Sequence, residues 1–297
     1  MTKRPPIVDM RNRPNWLHPF FGGTPDTPEF GVVEWLNKRV GTDPKNLHHF
    51  TKSKDMGAFT AEMDTAGISV GVMVARSTPT VRVSNDDVAA AAQKSGGRLI
   101  AVASVDAEQL GMRKALDEVE RAVTKLGCRG LNLDCAFYET PLAADAPQLM
   151  PMYEACQALG VPAFVLSGPT TPDLRLNDPF AIDRVAARFP KLPIVVCHGC
   201  YPHVDAMIEV AFRRENVFVS PDMYMFSPLG KGYIEAANGF MQDQYLFGSS
   251  YPFRPMAQGV EDFLAIGLKA APLEKVAYKN ACGLLKLDAK ALGKARA

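Results

Sequence analysis

The feature that most constrains this 297-residue chain is an alternation of two hydrophobic patterns. Short apolar runs rich in Val and Ile occur at 5–10, 68–75, 99–105, 129–134, 162–166, 193–198, 217–220 and 244–248, with segments of helical period between them. The clearest helical segment spans 109–126, where Met112, Ala115, Leu116, Val119, Ala122, Val123 and Leu126 recur at three-to-four spacing. Others are expected at 56–66, 86–95, 148–159, 180–189, 203–214, 257–270 and 273–286. "SNDD" at 84–87 and "NDP" at 177–179 read as helix starts, and Gly127 and Gly160 as helix ends. Eight strands alternating with helices predict an α/β chain, a (β/α)8 TIM barrel forming a single domain over 1–297. The near-continuous apolar strands fit a parallel sheet buried on both faces. An open doubly wound sheet would carry a Gly-rich phosphate loop after its first strand, and "VDMRNRP" at 8–14 is nothing like one.

The first connection, 11–55, is far longer than the roughly two to six residues usual between strand and helix. It includes a short helical stretch, "GVVEWLNKRVG", and aromatics such as Trp16, Phe20 and Phe21, which fit a lid or a dimer arm. Residues 287–297 read as a C-terminal tail.

Composition excludes several partners. The 33 basic residues are balanced by 32 acidic ones with no long basic block, so no nucleic acid is expected. No apolar run approaches the ~18 residues of a membrane span, and the charged start lacks the apolar core of a secretory signal. The six cysteines sit mostly in apolar contexts, and the C-x-x-C of "CHGC" has no second pair, so they read as buried thiols of a reduced, cytoplasmic protein. The expected partner is a small molecule, with a homodimer as the expected assembly.

In a barrel of this kind, chemistry gathers at the C-terminal ends of the strands. Those ends supply Asp9, Arg11 and Arg13, then Arg76, Asp106, Asn132 and Asp134. Ser167, His198, Asp222, Tyr224, Ser249, Ser250, Tyr251 and Arg254 follow. Several arginines at one mouth point to an anionic substrate, because a guanidinium fork matches a carboxylate in two bonds.

"FPKLPIVVCHGCYP" (189–202), "NVFVSPDMY" (216–224), "YLFGSSYPF" (245–253) and "KNACGLLKLD" (279–288) resemble the amidohydrolase superfamily. The branch resembled holds aminocarboxymuconate-semialdehyde decarboxylase, the resorcylate-type decarboxylases and pyrone-dicarboxylate lactonase. The resemblance implies the same barrel. It also implies a metal held by D-x-H-x-H on the first strand, a histidine ending the fifth, and the aspartate of "FGSDYP" on the eighth. Here those positions read Arg11, Arg13, Leu166 and Ser250, and His198 alone matches the family's acid/base histidine. Arginine has no lone pair for a metal. The sequence therefore predicts no metal cofactor, with Arg11 and Arg13 as electrophile or carboxylate clamp.

The leading expectation is a metal-independent hydrolase of a small carboxylate-bearing substrate, a lactone or ester ahead of an amide. His198 would activate water, oriented by Asp222, while Arg11 and Arg13 stabilise the oxyanion. Arg76, Asn132, Ser167, Tyr224, Ser250, Tyr251 and Arg254 are the expected substrate contacts. The alternative is a carboxy-lyase acting on an aromatic or dienoic carboxylate. A third reading is a non-catalytic barrel that binds a small acid. A Ser–His nucleophile built on Ser249 or Ser250 lacks the G-x-S-x-G elbow.

Overall fold

Seven strands form one sheet in chain order, every neighbouring pair parallel: β1 (Ile7–Asp9), β2 (Ile68–Val74), β3 (Leu99–Ser104), β4 (Leu131–Leu133), β5 (Ala163–Leu166), β6 (Ile194–Cys197) and β7 (Val217–Ser220). The computed structural model describes residues 4–18, 28–40 and 54–294. The eighth apolar run closes the sheet without forming a regular strand. Leu246 N donates to Val219 O at 3.0 Å on one side, and Met10 N donates to Phe247 O at 2.9 Å on the other. The result is a (β/α)8 barrel.

Helices follow the strands where the period placed them. α1 (Pro28–Asn37) lies inside the long first connection, and α2 (Met56–Ala66) starts at Asp55, whose carboxylate accepts from Ala58 N at 2.9 Å. α3 (Asn85–Lys94) is capped by Ser84, whose hydroxyl accepts from Asp87 N at 3.0 Å. α4 (Met112–Thr124) turns Ala115, Val119 and Ala122 inward, and α5 (Met150–Leu159) ends on a left-handed Gly160. α6 (Pro179–Arg188) is capped by Asp178, and α7 (Val204–Arg213) and α9 (Met256–Leu264) bury one face each. Between these last two lies α8 (Lys231–Ala237), which the sequence reading missed.

Three expectations change. The helix predicted over 109–126 is broken by Gly111, whose φ of 76° a continuous helix does not allow. Asp106, placed at the barrel mouth by its strand, instead accepts from Glu108 N and Gln109 N and starts the short helix before that break. Arg76 does not simply end β2, for Arg76–Ser77 pairs with Arg82–Val83 in a small antiparallel hairpin.

The core has two layers. One packs the helices onto the outside of the sheet, with Phe59, Met63, Val119, Tyr153 and Phe263 among its members. The other fills the barrel with alternate residues such as Val72, Val102, Phe164, Val195 and Leu246. Ala281, Leu284 and Leu285 plug this inner cluster, and Leu287, Ala289 and Leu292 pack against it. The expected tail is thus partly docked, with 295–297 outside the described residues. Of the expected lid or arm, 19–27 and 41–53 lie outside the described residues, and Phe20, Phe21, His48 and His49 with them. Among the described residues, no helix is long and apolar enough to cross a membrane.

Candidate active site

The site forms because the strands end in polar residues just above the apolar barrel interior. β1 leads into Asp9, which is fully buried and holds the turn that follows. Its carboxylate accepts from Arg11 N (3.1 Å), Asn12 Nδ2 (3.0 Å), Ser249 N (2.8 Å) and Ser249 Oγ (2.5 Å). These bonds tie the first strand to the eighth segment. Burial nevertheless pushes the Asp9 carboxyl up to about 7, against the lowering effect of Ser249.

Past this turn the two arginines part. Arg11 is 1% exposed and turns inward, its Nη1 donating to Cys197 Sγ at 3.4 Å. Arg13 reaches the cleft wall and lies over the Phe253 ring at 5.0 Å. Burial, together with Arg11 and Arg76, pulls the Arg13 guanidinium down to about 9, which still leaves it charged at neutral pH. Arg76 also faces the cleft and is paired with the buried Asp134 at 2.8 Å. Burial lowers Arg76 while Asp134 holds it up.

His198 follows β6 in an unusual turn. His198, Gly199 and Cys200 have φ of 64°, 59° and 53°, three successive left-handed residues. That conformation is costly for residues with a Cβ, at roughly 1–2 kcal/mol each. Neighbours hold it in place. Ser167 Oγ accepts from Cys200 N at 2.9 Å and donates to Cys197 O at 2.6 Å, and Tyr233 Oη donates to Gly199 O at 2.6 Å. The Ser167 carbonyl faces His198 Nδ1 at 2.9 Å, so that nitrogen carries the proton and Nε2 is left with its lone pair. Nε2 lies 3.5 Å from Asp222 Oδ2. Burial, then Arg11 and Arg13, hold the imidazole well below its ordinary value, so it is neutral. Burial raises Asp222, opposed by Arg11 and Arg13. Asp222 itself has φ 57° and accepts from Ser220 Oγ at 2.7 Å. A Cβ at Gly248 would run into Asp222 Oδ1 and stand 3.1 Å from Arg11 Cβ, so only glycine lets those side chains pass.

Above this cluster opens a cleft of about 660 Å³. Arg13, Arg76 and His198 give it its charge and chemistry. Trp35, Leu36, Val81, Phe137, Leu166, Met223 and Phe253 give it apolar walls. These walls come from α1, the small hairpin, the end of β5 and the loops after the strands; the strand pattern reaches Leu166 and the Met-rich run reaches Met223, while Trp35, Phe137 and Phe253 carry no local mark.

Other predicted site residues lie deeper or elsewhere. Asn132 is buried on the inner face, its register partner Phe164 belonging to the inner cluster, and neither amide atom has a partner among the described residues. Ser250, with φ 58°, also buries an unpartnered hydroxyl. Tyr224 stacks on Tyr201 at 4.9 Å and turns an edge to His198 at 5.5 Å, outside the cleft walls. Three residues expected to touch substrate are otherwise engaged. The Ser167 hydroxyl is spent on the His198 turn. Tyr251 Oη donates to Glu62 Oε2 at 3.0 Å, and its ring packs on Phe59. Arg254 binds Asp262 and Val40 O and covers the Phe226 ring at 4.2 Å. All six cysteines are buried and free, and burial pushes Cys197 up to about 12.

An amidohydrolase family model matches residues 44–287. The chain belongs to the amidohydrolase family. An uncharacterised TIM-barrel protein from Bordetella bronchiseptica is 32% identical, with a TM-score of 0.84 over 94% of this chain and 98% of that one. A dihydroxybenzoic acid decarboxylase from Polaromonas sp. JS666, with bound manganese and 2-nitroresorcinol, is 17% identical. Its TM-score is 0.68 over 95% of this chain and 97% of that one. The 5-carboxyvanillate decarboxylase of Sphingomonas paucimobilis is 17% identical, with a TM-score of 0.66 over 96% and 100% of the two chains. At such identity these two share the fold. No curated protein matches the chain by sequence.

The resemblance to metal-binding amidohydrolases implies a divalent ion at the strand ends, and the residues present do not fit one. Arg11 and Arg13 offer only N–H donors there, and Cys197 is held as a thiol. Among the described residues, no group of three or more His, Cys, Asp or Glu converges as a ligand set.

Proposed function

We propose that this amidohydrolase-family protein is a carboxy-lyase acting on a small aromatic or dienoic carboxylate that carries a second acidic oxygen. The observation that carries this reading is the pairing of an apolar cleft with a buried proton pair, His198 and Asp222, at its charged end. Dihydroxybenzoate and carboxyvanillate decarboxylases on the same fold support the reaction class.

The chemistry follows from where charge is lost. Decarboxylation discharges a carboxylate, so guanidinium contacts to that group would stabilise the ground state and slow the reaction. The leaving carboxylate therefore lies on the apolar side, near Leu166, Phe137 and Met223. Arg13 and Arg76 hold the other acidic oxygen. Binding an anion beside His198 raises its affinity for a proton, and Nε2 becomes an N–H donor. That proton forms the C–H bond at the carbon bearing the carboxylate. The bond to the carboxylate carbon then breaks, its electron pair returns to the substrate, and carbon dioxide leaves. Asp222 balances the imidazolium while it exists, and solvent supplies the next proton.

A second reading, hydrolysis of a lactone or ester, is favoured by one observation: the neutral His198 with an unbonded Nε2 is the form that deprotonates water. Products separate the two. Hydroxybenzoates, dienoic acids and cyclic carboxy-lactones are offered with a chelator present. Release of carbon dioxide from the acids supports the lyase, and ring opening without gas from the lactones replaces it with the hydrolase. No turnover of either class defeats both.

A further inference from the structure

Arg11 is a buried charge whose guanidinium is poorly satisfied. It is 1% exposed, its guanidinium's one hydrogen bond goes to a neutral thiol, and Nε and Nη2 have no partner among the described residues. A buried cation without a counter-charge is strongly disfavoured, because the lost hydration is not replaced. The nearby acids are engaged elsewhere. Asp134 is paired with Arg76, Asp9 with Ser249, and Asp222 with Ser220 and the His198 backbone. None of them bonds the Arg11 guanidinium; Asp222 offsets its charge from nearby, and no carboxylate oxygen takes up Nε or Nη2. Asn132, on the inner face, has both amide atoms unpartnered as well, an independent sign of a polar group missing from the barrel floor.

We infer that Arg11 stands in for the divalent ion, as a tethered cation that binds, through Nε and Nη2 from beneath the cleft, the same second acidic oxygen that Arg13 and Arg76 hold from its wall. The ligand class is an aromatic acid whose phenolic or second carboxylate oxygen reaches the floor while its ring lies between the apolar walls. A guanidinium at this position also repels divalent cations, so anion binding and metal independence have one cause. The inference rests on the carboxylate-substrate reading for the choice of probe and not on turnover.

The test uses salicylate as the anion and Mn²⁺ as the metal, both followed by calorimetry on the full chain. Wild-type protein is expected to bind salicylate equally well with chelator or with Mn²⁺, and to take up no stoichiometric Mn²⁺. Arg11→Met should weaken salicylate binding roughly ten- to a hundredfold, as expected on losing a charged hydrogen bond. Arg11→Lys, which keeps the charge and loses the fork, should fall between the two and guards against a folding defect in the first variant. One Mn²⁺ per chain, with salicylate binding lost on chelation, overturns the inference. So does salicylate affinity unchanged in Arg11→Met, or no salicylate binding by the wild type. Normal binding without turnover of any carboxylate sinks the lyase reading and leaves this one standing.

Discussion

His198 Nε2 lies 3.5 Å from Asp222 Oδ2, and the same oxygen accepts from the His198 backbone N–H at 3.3 Å. Burial, then Arg11 and Arg13, hold the imidazole low, so it is neutral before ligand enters, while burial raises the carboxyl against the pull of Arg11, Ser220 and Arg13. The two groups form one proton-holding unit whose state depends on the charge placed beside it.

An arriving anion should therefore draw in a proton. Calorimetry of salicylate binding near pH 7, in buffers of different ionisation heat, should report an uptake approaching one proton per site. His198→Gln should abolish that uptake and lower any carbon dioxide release by roughly 10²-fold or more. Binding with no proton exchange in the wild type would remove His198 from its role as acid.

Stability should depend on pH through the same residue. The folded-state value of His198 lies well below its ordinary 6.5, so below that pH the unfolded chain binds a proton that the folded chain refuses. The sign is a loss of stability as pH falls through about 6.5. Asp9 acts in the opposite sense, its stabilising contribution being fully present below 3.8 and lost as pH rises through about 7. The urea midpoint at pH 5.5, taken relative to that at pH 7.5, should thus be higher in His198→Gln than in the wild type. An identical difference in both proteins would show that His198 does not titrate as described.

Gly248 holds open the passage between Arg11 and Asp222. Gly248→Ala should displace the Asp222 carboxylate and lower turnover by as much as roughly 10²-fold, the scale of an ångström's misplacement. The Km should change far less, because the cleft walls are untouched. Full activity in that variant would mean Asp222 can move without consequence.

Arg76 and Asp134 form a buried pair at 2.8 Å. Arg76→Ala leaves Asp134 unpaired and should destabilise the fold by about 3–5 kcal/mol. Adding Asp134→Ala should recover part of that loss. Additive losses in the double variant, measured by chemical denaturation, would mean the two residues are not coupled.

Tyr251 tests the boundary of the site. Its hydroxyl binds Glu62, so Tyr251→Phe should cost about 1 kcal/mol of stability and leave salicylate affinity unchanged. A weakened affinity would return Tyr251 to the substrate contacts.

The sequence by itself determined the barrel, because strand and helix are written in local periods that each segment must satisfy to bury its apolar face. It also placed Arg11, Arg13, Arg76, His198 and Asp222 at one mouth, since parallel strands bring their C-terminal ends together whatever their loops do. The local periods did not reveal Gly111, where one left-handed residue breaks an otherwise periodic helix. They also did not mark Trp35, Phe137 and Phe253, which lie far apart on the chain and line one cleft only once the barrel has closed. Tertiary structure alone separated Arg11 from Arg13. The two sit two positions apart on the chain, yet the turn held by Asp9 sends one guanidinium to the floor beside Cys197 and the other to the wall beside Phe253. It likewise withdrew Ser167, Tyr251 and Arg254 from the cleft, because hydrogen-bond partners distant in sequence claim their polar atoms.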